Sequence, residues 1–331
     1  MMVSKEGGFT VGLKEIGWNG FLIRVPEEMH FTRQGGNAKE GTFVIESEEG
    51  IIDLSWRPIQ EEPQSLLSAV ETIIDYAKKE AKKKGLKFSI KEKQRVLVNK
   101  HDAFYLLVKS AVEERYYIWL CKESGRIASV RFIFKEFDEK AKRIIKQFLS
   151  SLRCHTDGNN VWSLLKIRFE APKSLLLTES RFGVGRAHIT LAEKEVSALE
   201  ERTRSIHVDY FSVANLIFKD TYQDPGRWFE KNYKKEFRKM LKKWRIKFDT
   251  IGERELGGHK AVIKEARTTS GLLTRGSEIC SVACWYCEDM NRMYSVAVRS
   301  RIVRFVFLKR RLKEEEHNEM FDSLLRSFKC H

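Results

Sequence analysis

Residues 150–155 read SSLRCH, and residues 326–331 read RSFKCH. The two hexapeptides mark the ends of an internal repeat, and a repeat constrains a fold more than any composition does. Other landmarks recur in the same order. Trp18 opens WNGFLIRVP and Trp162 opens WSLLKIRFEAP, each a short apolar run closed by a proline, Pro26 or Pro172. NKHDA at 99–103 parallels GGHKA at 257–261, and CKESGR at 121–126 parallels CEDMNR at 287–292. Trp119 then matches Trp285. Each match is short, but their shared order over half the chain predicts two tandem domains, residues 1–155 and 156–331. The linker is TDGNN at 156–160, a run of turn residues.

Both copies give the same coarse pattern. The first run ends at Pro, which holds the preceding residue in extended geometry. Period-two alternation then predicts strands in GTFVIES and GIIDLSW of copy one, and in HITLAEK and SIHVDYFSV of copy two. A long amphipathic helix follows. Its stripe is Leu66, Val70, Ile73, Ile74, Ala77 and Ala81 in copy one, with Gly85 as the stop signal. In copy two Asp224 is the expected N-cap and Pro225 the first helical residue, with Phe229, Tyr233, Phe237, Met240, Leu241 and Trp244 as the stripe. Copy one continues with the strands AFYLLVKSA, RYYIWLCK and RIASVRFIF. Closing helices are expected near 137–153 and 312–328, and extra residues in copy two near LLTRGSE and 296–310. Few connections could hold a crossover helix, so the strands should pair antiparallel. The expected class is α+β: two tandem repeats, each an antiparallel sheet packed with one long helix and a closing C-terminal helix.

This order of elements resembles the PsbP-like family, which includes small Ran-binding proteins of the Mog type. The features that carry the resemblance are FLIRVP and KIRFEAP, the long helix, the turn before HDA or HKA, the long strands after it, and the helix ending in SSL or RSF. The resemblance covers nearly the whole chain as two PsbP-like domains. It implies a non-enzymatic binding or accessory protein and supplies no catalytic residues.

Three cysteines invite a different reading. CSVACWYC at 280–287 spaces Cys280, Cys284 and Cys287 like the cluster signature of radical S-adenosylmethionine enzymes. An iron–sulfur or zinc site on these residues needs three converging thiolates. The repeat lays the segment onto RYYIWLC, whose β-branched and aromatic composition is that of a strand. On a strand, Cys280 and Cys284 share one face about 13 Å apart, at roughly 3.3 Å per residue, and Cys287 points to the other. No cofactor and no metal is therefore expected there. Cys154-His155 and Cys330-His331 each offer half a zinc site, completed only if the two tails met. His101 and His259 recur before a strand and read as turn-holding residues. FGVGR at 182–186 lacks the Lys-Ser/Thr ending of a phosphate loop and fits a hairpin.

The net charge is +15, and two thirds of the surplus lies in residues 156–331. It concentrates in KNYKKEFRKMLKKWRIK at 231–247. Opposite the apolar stripe, Lys234, Lys235, Arg238, Lys239, Lys242, Lys243 and Arg245 form either a solvated face or an anion-binding one. The leading expectation is a non-catalytic binding or scaffold protein with an unidentified protein partner. The alternatives are a nucleic-acid-associated protein using the basic face, and a metalloprotein using Cys280, Cys284 and Cys287. No apolar run is long enough to span a membrane and no signal-peptide core is present, so a cytoplasmic address is expected.

Overall fold

The computed structural model describes residues 12–59, 65–240, 247–270, 275–304 and 312–331. The chain divides into two compact units, one of residues up to Asp157 together with Ser163–Leu165, the other of Gly158–Trp162 and Lys166–His331, so that the strand Asn159–Leu164 is shared between them. Each unit is described in turn.

The first unit begins with the hairpin β1 (Leu13–Trp18) and β2 (Phe21–Pro26), turned by Asn19 and Gly20 at positive φ. It continues with β3 (His30–Gly36), β4 (Gly41–Glu46), β5 (Gly50–Pro58), helix α1 (Leu66–Lys83), β6 (Ser89–Val98), β7 (His101–Lys109), β8 (Glu113–Cys121), β9 (Arg126–Phe134) and helix α2 (Glu139–Ser151). Strands β3 to β9 form one sheet in the order β3-β4-β5-β9-β8-β7-β6, antiparallel throughout. The helix α1 forms as its stripe predicts. Ser65 caps it by accepting from Ser68 N, and Gly85, at φ +67°, ends it in the left-handed region that glycine tolerates best. Its buried Ala69, Val70 and Ile74 pack on Phe104, Leu106, Val108 and Ile118.

The opposite sheet face carries Ile52, Leu54 and Trp56 of β5, which alternate with Ile51, Asp53 and Ser55 as a half-buried strand requires. Helix α2 covers this face, with Phe148 edge-on to Phe132 at 5.2 Å between ring centres. Asp138 caps α2 by accepting from Ala141 N.

In the second unit the chain runs through β10 (Asn159–Leu164), β11 (Ile167–Pro172), β12 (Leu176–Gly183), β13 (Arg186–Val196) and β14 (Glu200–Ser212). Three short helices follow, α3 (Ala214–Ile217), α4 (Pro225–Trp228) and α5 (Lys234–Met240), the last two joined by a π-helical turn, Phe229–Tyr233. Then come β15 (Asp249–Leu256), β16 (His259–Ser270), β17 (Arg275–Cys287), β18 (Arg292–Arg304) and helix α6 (Glu314–Ser327). The sheet order is β12-β13-β14-β18-β17-β16-β15, the same path as in the first unit. FGVGR turns the β12–β13 hairpin, with Gly183 opposite Arg186 and Gly185 at φ +79°.

The second helix of the sequence pattern is capped as expected, Asp224 accepting from Arg227 N with Pro225 at its first position. The π-helical turn is the part that periodicity does not show. The extra residue in that turn buries Trp228 together with Phe229, Tyr233 and Phe237 against Cys280, Val282 and Cys284. Leu241 and Trp244 of the expected stripe lie outside the described residues.

Two buried polar groups were not singled out by sequence pattern. Asp209 is fully buried and accepts from Tyr233 Oη at 2.7 Å and from Arg186 Nη2 at 3.0 Å, with His188 Nδ1 also at 3.0 Å. Burial pushes this carboxyl up, but the His188, Tyr233 and Arg186 contacts outweigh it and hold it below the ordinary value. On the other face His317 of α6 bridges Ser281 and Ser300, at 2.9 Å to each. Burial lowers its pKa to about 4.

Two outcomes are expected. Tyr233→Phe removes one donor from a buried carboxylate and lowers stability by about 1.5–3 kcal/mol in a urea titration. His317 is held neutral in the fold, so below its ordinary pKa of 6.5 protonation favours the unfolded chain. Stability therefore falls by about 3 kcal/mol between pH 6.5 and pH 4 at this group. His317→Gln should flatten that part of the pH profile.

Candidate metal centres

The β6–β7 turn is two residues long, Asn99 and Lys100, both at positive φ, and it delivers His101 as the first residue of β7. The β15–β16 turn does the same with Gly257 and Gly258, delivering His259. Two positive φ values are what a tight hairpin of matching twist demands, and Asn and Gly are the residues that meet it most easily. The strand register then decides what each histidine meets. Ala103 pairs with Trp119, so His101 lies opposite Cys121, two places further on. Val262 pairs with Cys284, so His259 lies opposite Cys287. Opposed residues in an antiparallel pair share a face. In each sheet a histidine and a cysteine therefore stand side by side at one corner.

The tails after the closing helices bring the other two groups. Beyond α2, Asn99 donates its side-chain amide to Leu152 O, and the main chain of Arg153 pairs both ways with Leu22. This anchors Cys154 and His155 over the corner. Beyond α6, Lys329 pairs both ways with Arg168, and Tyr294 Oη donates to Cys330 O at 3.3 Å, which anchors Cys330 and His331.

Two sets of four result: His101, Cys121, Cys154 and His155 in the first unit, and His259, Cys287, Cys330 and His331 in the second. Within each set one ligand atom from every residue lies within 4.8 Å of the others. Cys154 Sγ is 3.1 Å from His101 Nε2 and 3.5 Å from His155 Nδ1, and Cys121 Sγ is 3.2 Å from the same Nδ1. In the second set Cys330 Sγ and Cys287 Sγ lie 3.4 and 3.6 Å from His331 Nδ1. A tetrahedral zinc ion with bonds of about 2.3 Å to sulfur and 2.05 Å to nitrogen sets sulfur and nitrogen ligands about 3.6 Å apart. The observed edges are close to that figure. All four cysteines are buried, and the histidines sit at the rim. In the first set the Cys154–Cys121 hydrogen bond lowers the Cys121 thiol and raises that of Cys154. In the second, burial and then the neighbouring Cys287 raise Cys330.

Two thiolates and two imidazoles neutralise a divalent ion and fill a tetrahedron. Four protein ligands leave no open position for a water or a substrate, which is the donor set of a structural zinc site.

The placement of the sequence-derived candidates follows from this. Cys280 and Cys284 lie on β17 facing the α4–α5 side, inside its apolar cluster, whereas Cys287 is on the other face beside Cys330 and His331. The triplet therefore does not converge on one cluster. The two Cys-His pairs do not need each other, because each is completed within its own unit. His101 and His259 face sulfur rather than holding their turns. Cys121 was not singled out as a ligand by the sequence, although its alignment with Cys287 carried the signal. The spacing hides it: 19 and 32 residues separate the first three ligands of one set, and 27 and 42 those of the other, far from the short spacings of zinc fingers.

On the basic helix, Lys235 and Lys239 are exposed, Arg238 is half-buried and Lys234 pairs with Glu230 at 2.5 Å. Lys231 pairs with Asp220. Lys242, Lys243 and Arg245 lie outside the described residues. Among the described residues, no helix is long and apolar enough to cross a membrane.

No family model matches the chain, and neither does any curated protein. Among solved structures it is similar to cyanobacterial PsbP from Synechocystis sp. PCC 6803, at 10% sequence identity and a TM-score of 0.36. That match covers 46% of this chain and 99% of the other.

Thiol chemistry should separate the two kinds of cysteine. Burial pushes Cys284 up to about 12 and Cys280 higher still, so both should stay unreactive toward a disulfide reagent at pH 8 in the folded protein. If the two sets hold a metal, Cys121, Cys154, Cys287 and Cys330 should react only once a chelator is added. Labelling followed by peptide mass mapping checks the assignment.

Proposed function

We propose that this chain is a non-catalytic zinc protein: two tandem PsbP-like modules, residues 1–155 and 156–331, each clamped by its own Cys2His2 centre and together serving as a scaffold for a protein partner. The observation that carries the reading is the recurrence of one four-ligand set at the same corner of both sheets. The turn residues differ between the copies, Asn99-Lys100 against Gly257-Gly258, yet all four ligand types and the Cys-His tail are the same in both.

The metal's role in this reading is mechanical. It ties the tail after the closing helix to the hairpin corner, adding a cross-link between elements distant in sequence. The thiolates must stay reduced to bind it, which favours a reducing compartment such as the cytoplasm. A protein partner is preferred to nucleic acid because Lys231 and Lys234 are already neutralised by Asp220 and Glu230, which thins the basic helix as a phosphate footprint.

Metal analysis of the purified full-length protein tests the proposal. Two zinc ions per chain are expected. Cys154→Ser and Cys330→Ser should each lower the content to one, and the double variant to none. Cobalt substitution should give the visible absorption of a tetrahedral sulfur-ligated ion. A metal-free protein that takes up neither zinc nor cobalt would overturn the proposal.

A further inference from the structure

The two centres share their ligands but not their surroundings. His331, in the second, has 44% of its side chain exposed, whereas both histidines of the first are half-buried. With Nδ1 turned to the two sulfurs, the Nε2 of His331 points away from the centre and lies 3.7 Å from Asp289 Oδ2. That carboxylate is itself 69% exposed. A carboxylate beside the far nitrogen of a ligating imidazole biases the ring's orientation, and strengthens it as a donor once the two close to hydrogen-bond distance. The residue at the same place in the first unit, two beyond the strand cysteine, is Glu123. It turns the other way: Cys121 Sγ lies 3.5 Å from Glu123 Oε2.

We infer that the second centre is the exchangeable one of the pair, and that Asp289 is the positioning residue that restrains its exchange. The inference rests on the zinc reading above. Zinc leaves a four-ligand site by substitution, with an incoming ligand taking the place of a departing one. The departing group must be able to swing into solvent, and the incoming one must be able to arrive there. His331 meets both conditions. The sulfurs of both centres do not, since Cys121, Cys154, Cys287 and Cys330 are each no more than 5% exposed. On its outer side the His331 ring meets Asp289 through Nε2, while its other contacts, the edge-on His259 ring and the two sulfurs, all lie within the ligand set itself. A partner or ligand that engaged Asp289 would loosen this centre and leave the first one in place. The first centre then acts as a fixed clamp, and the second as a metal site open to exchange with its surroundings.

The experiment is zinc release from the full-length protein into an excess of the chromogenic chelator 4-(2-pyridylazo)resorcinol, after the zinc content has been measured. Two phases of one equivalent each are expected. Cys154→Ser should keep only the fast phase, and Cys330→Ser only the slow one. Asp289→Asn should accelerate the fast phase about tenfold or more and leave the slow phase unchanged, and Asp289→Glu should restore the original rate. Release of both equivalents in one phase would overturn the inference, as would an Asp289→Asn protein whose fast phase is unaltered. A starting protein without zinc fails the underlying reading instead, and the prior measurement of content tells the two failures apart.

Discussion

The two Cys2His2 sets depend on one cross-strand juxtaposition, His101 opposite Cys121 and His259 opposite Cys287. An antiparallel register that slipped by one residue would send every side chain of the strand to the other face, and the cysteine would leave its histidine. The two-residue turns prevent this. With Asn99 and Lys100, or Gly257 and Gly258, at positive φ, the hairpin before each histidine admits no extra residue, and β7 and β16 start at a fixed place. Trp119 and Trp285, buried two positions before each cysteine, hold the partner strand in the same register from within the core. Turn chemistry and core packing thus place two ligands before the helix tail arrives with the other two.

The strand β17 shows how one short segment can serve two environments. Its alternate residues Cys280, Val282 and Cys284 line the floor under Trp228, Phe229 and Tyr233. Ser281, Trp285 and Cys287 face α6 and its tail, where Ser281 meets His317 and Trp285 stacks on Tyr294 at 5.2 Å between ring centres. The three cysteines of CSVACWYC are close in sequence, yet the pleat assigns two to an apolar layer and one to a ligand set. A thiol buried without charge partners packs as a small hydrophobe, while one beside imidazoles and a second thiol can hold a metal.

The strands and helices were legible because they rest on local signals. Alternation marked β4, β5, β13 and β14, the apolar stripe marked α1, and Asp224-Pro225 marked the start of α4. The π-helical turn at 229–233 was not legible, because it changes the helical period where a stripe is read at constant period. The centres were half legible. Cys154-His155, Cys330-His331, His101 and His259 all stood out by recurring. What assembled them was the addition of Cys121 and Cys287 through register, a relation between residues about 20 to 30 positions apart that periodicity does not carry. Asp209, His188 and His317 were invisible for a related reason: each is a polar residue inside an apolar pattern, satisfied by partners on other elements.

The shared frame makes the differences between the units informative. Pro58 pairs with Arg126 and Ser212 with Arg292, so position by position Arg57 corresponds to Phe211, Asp53 to His207 and Arg131 to Ala297. In the first unit this face bears an ionic network, with Arg131 Nη2 3.0 Å from Asp53 Oδ2, beside α1 and a cleft of about 830 Å³. In the second unit the corresponding face lies under Trp228, Tyr233 and Phe237, which close it. Helix α1 presents Thr72, Ile73, Tyr76, Ala77 and Glu80 to the cleft, and Tyr76 stays exposed there rather than packing down to close it. The corner with the Cys2His2 set and the face under the long helix therefore answer to different demands. The corner needs four fixed donors and uses the same residue types in both units. The helix-covered face needs only enough burial to hold its helix, and that can be met by aromatic packing or by a charged and half-open layer. Recognition that distinguishes one unit from the other has room to reside on those faces, while the corners keep each closing helix in place.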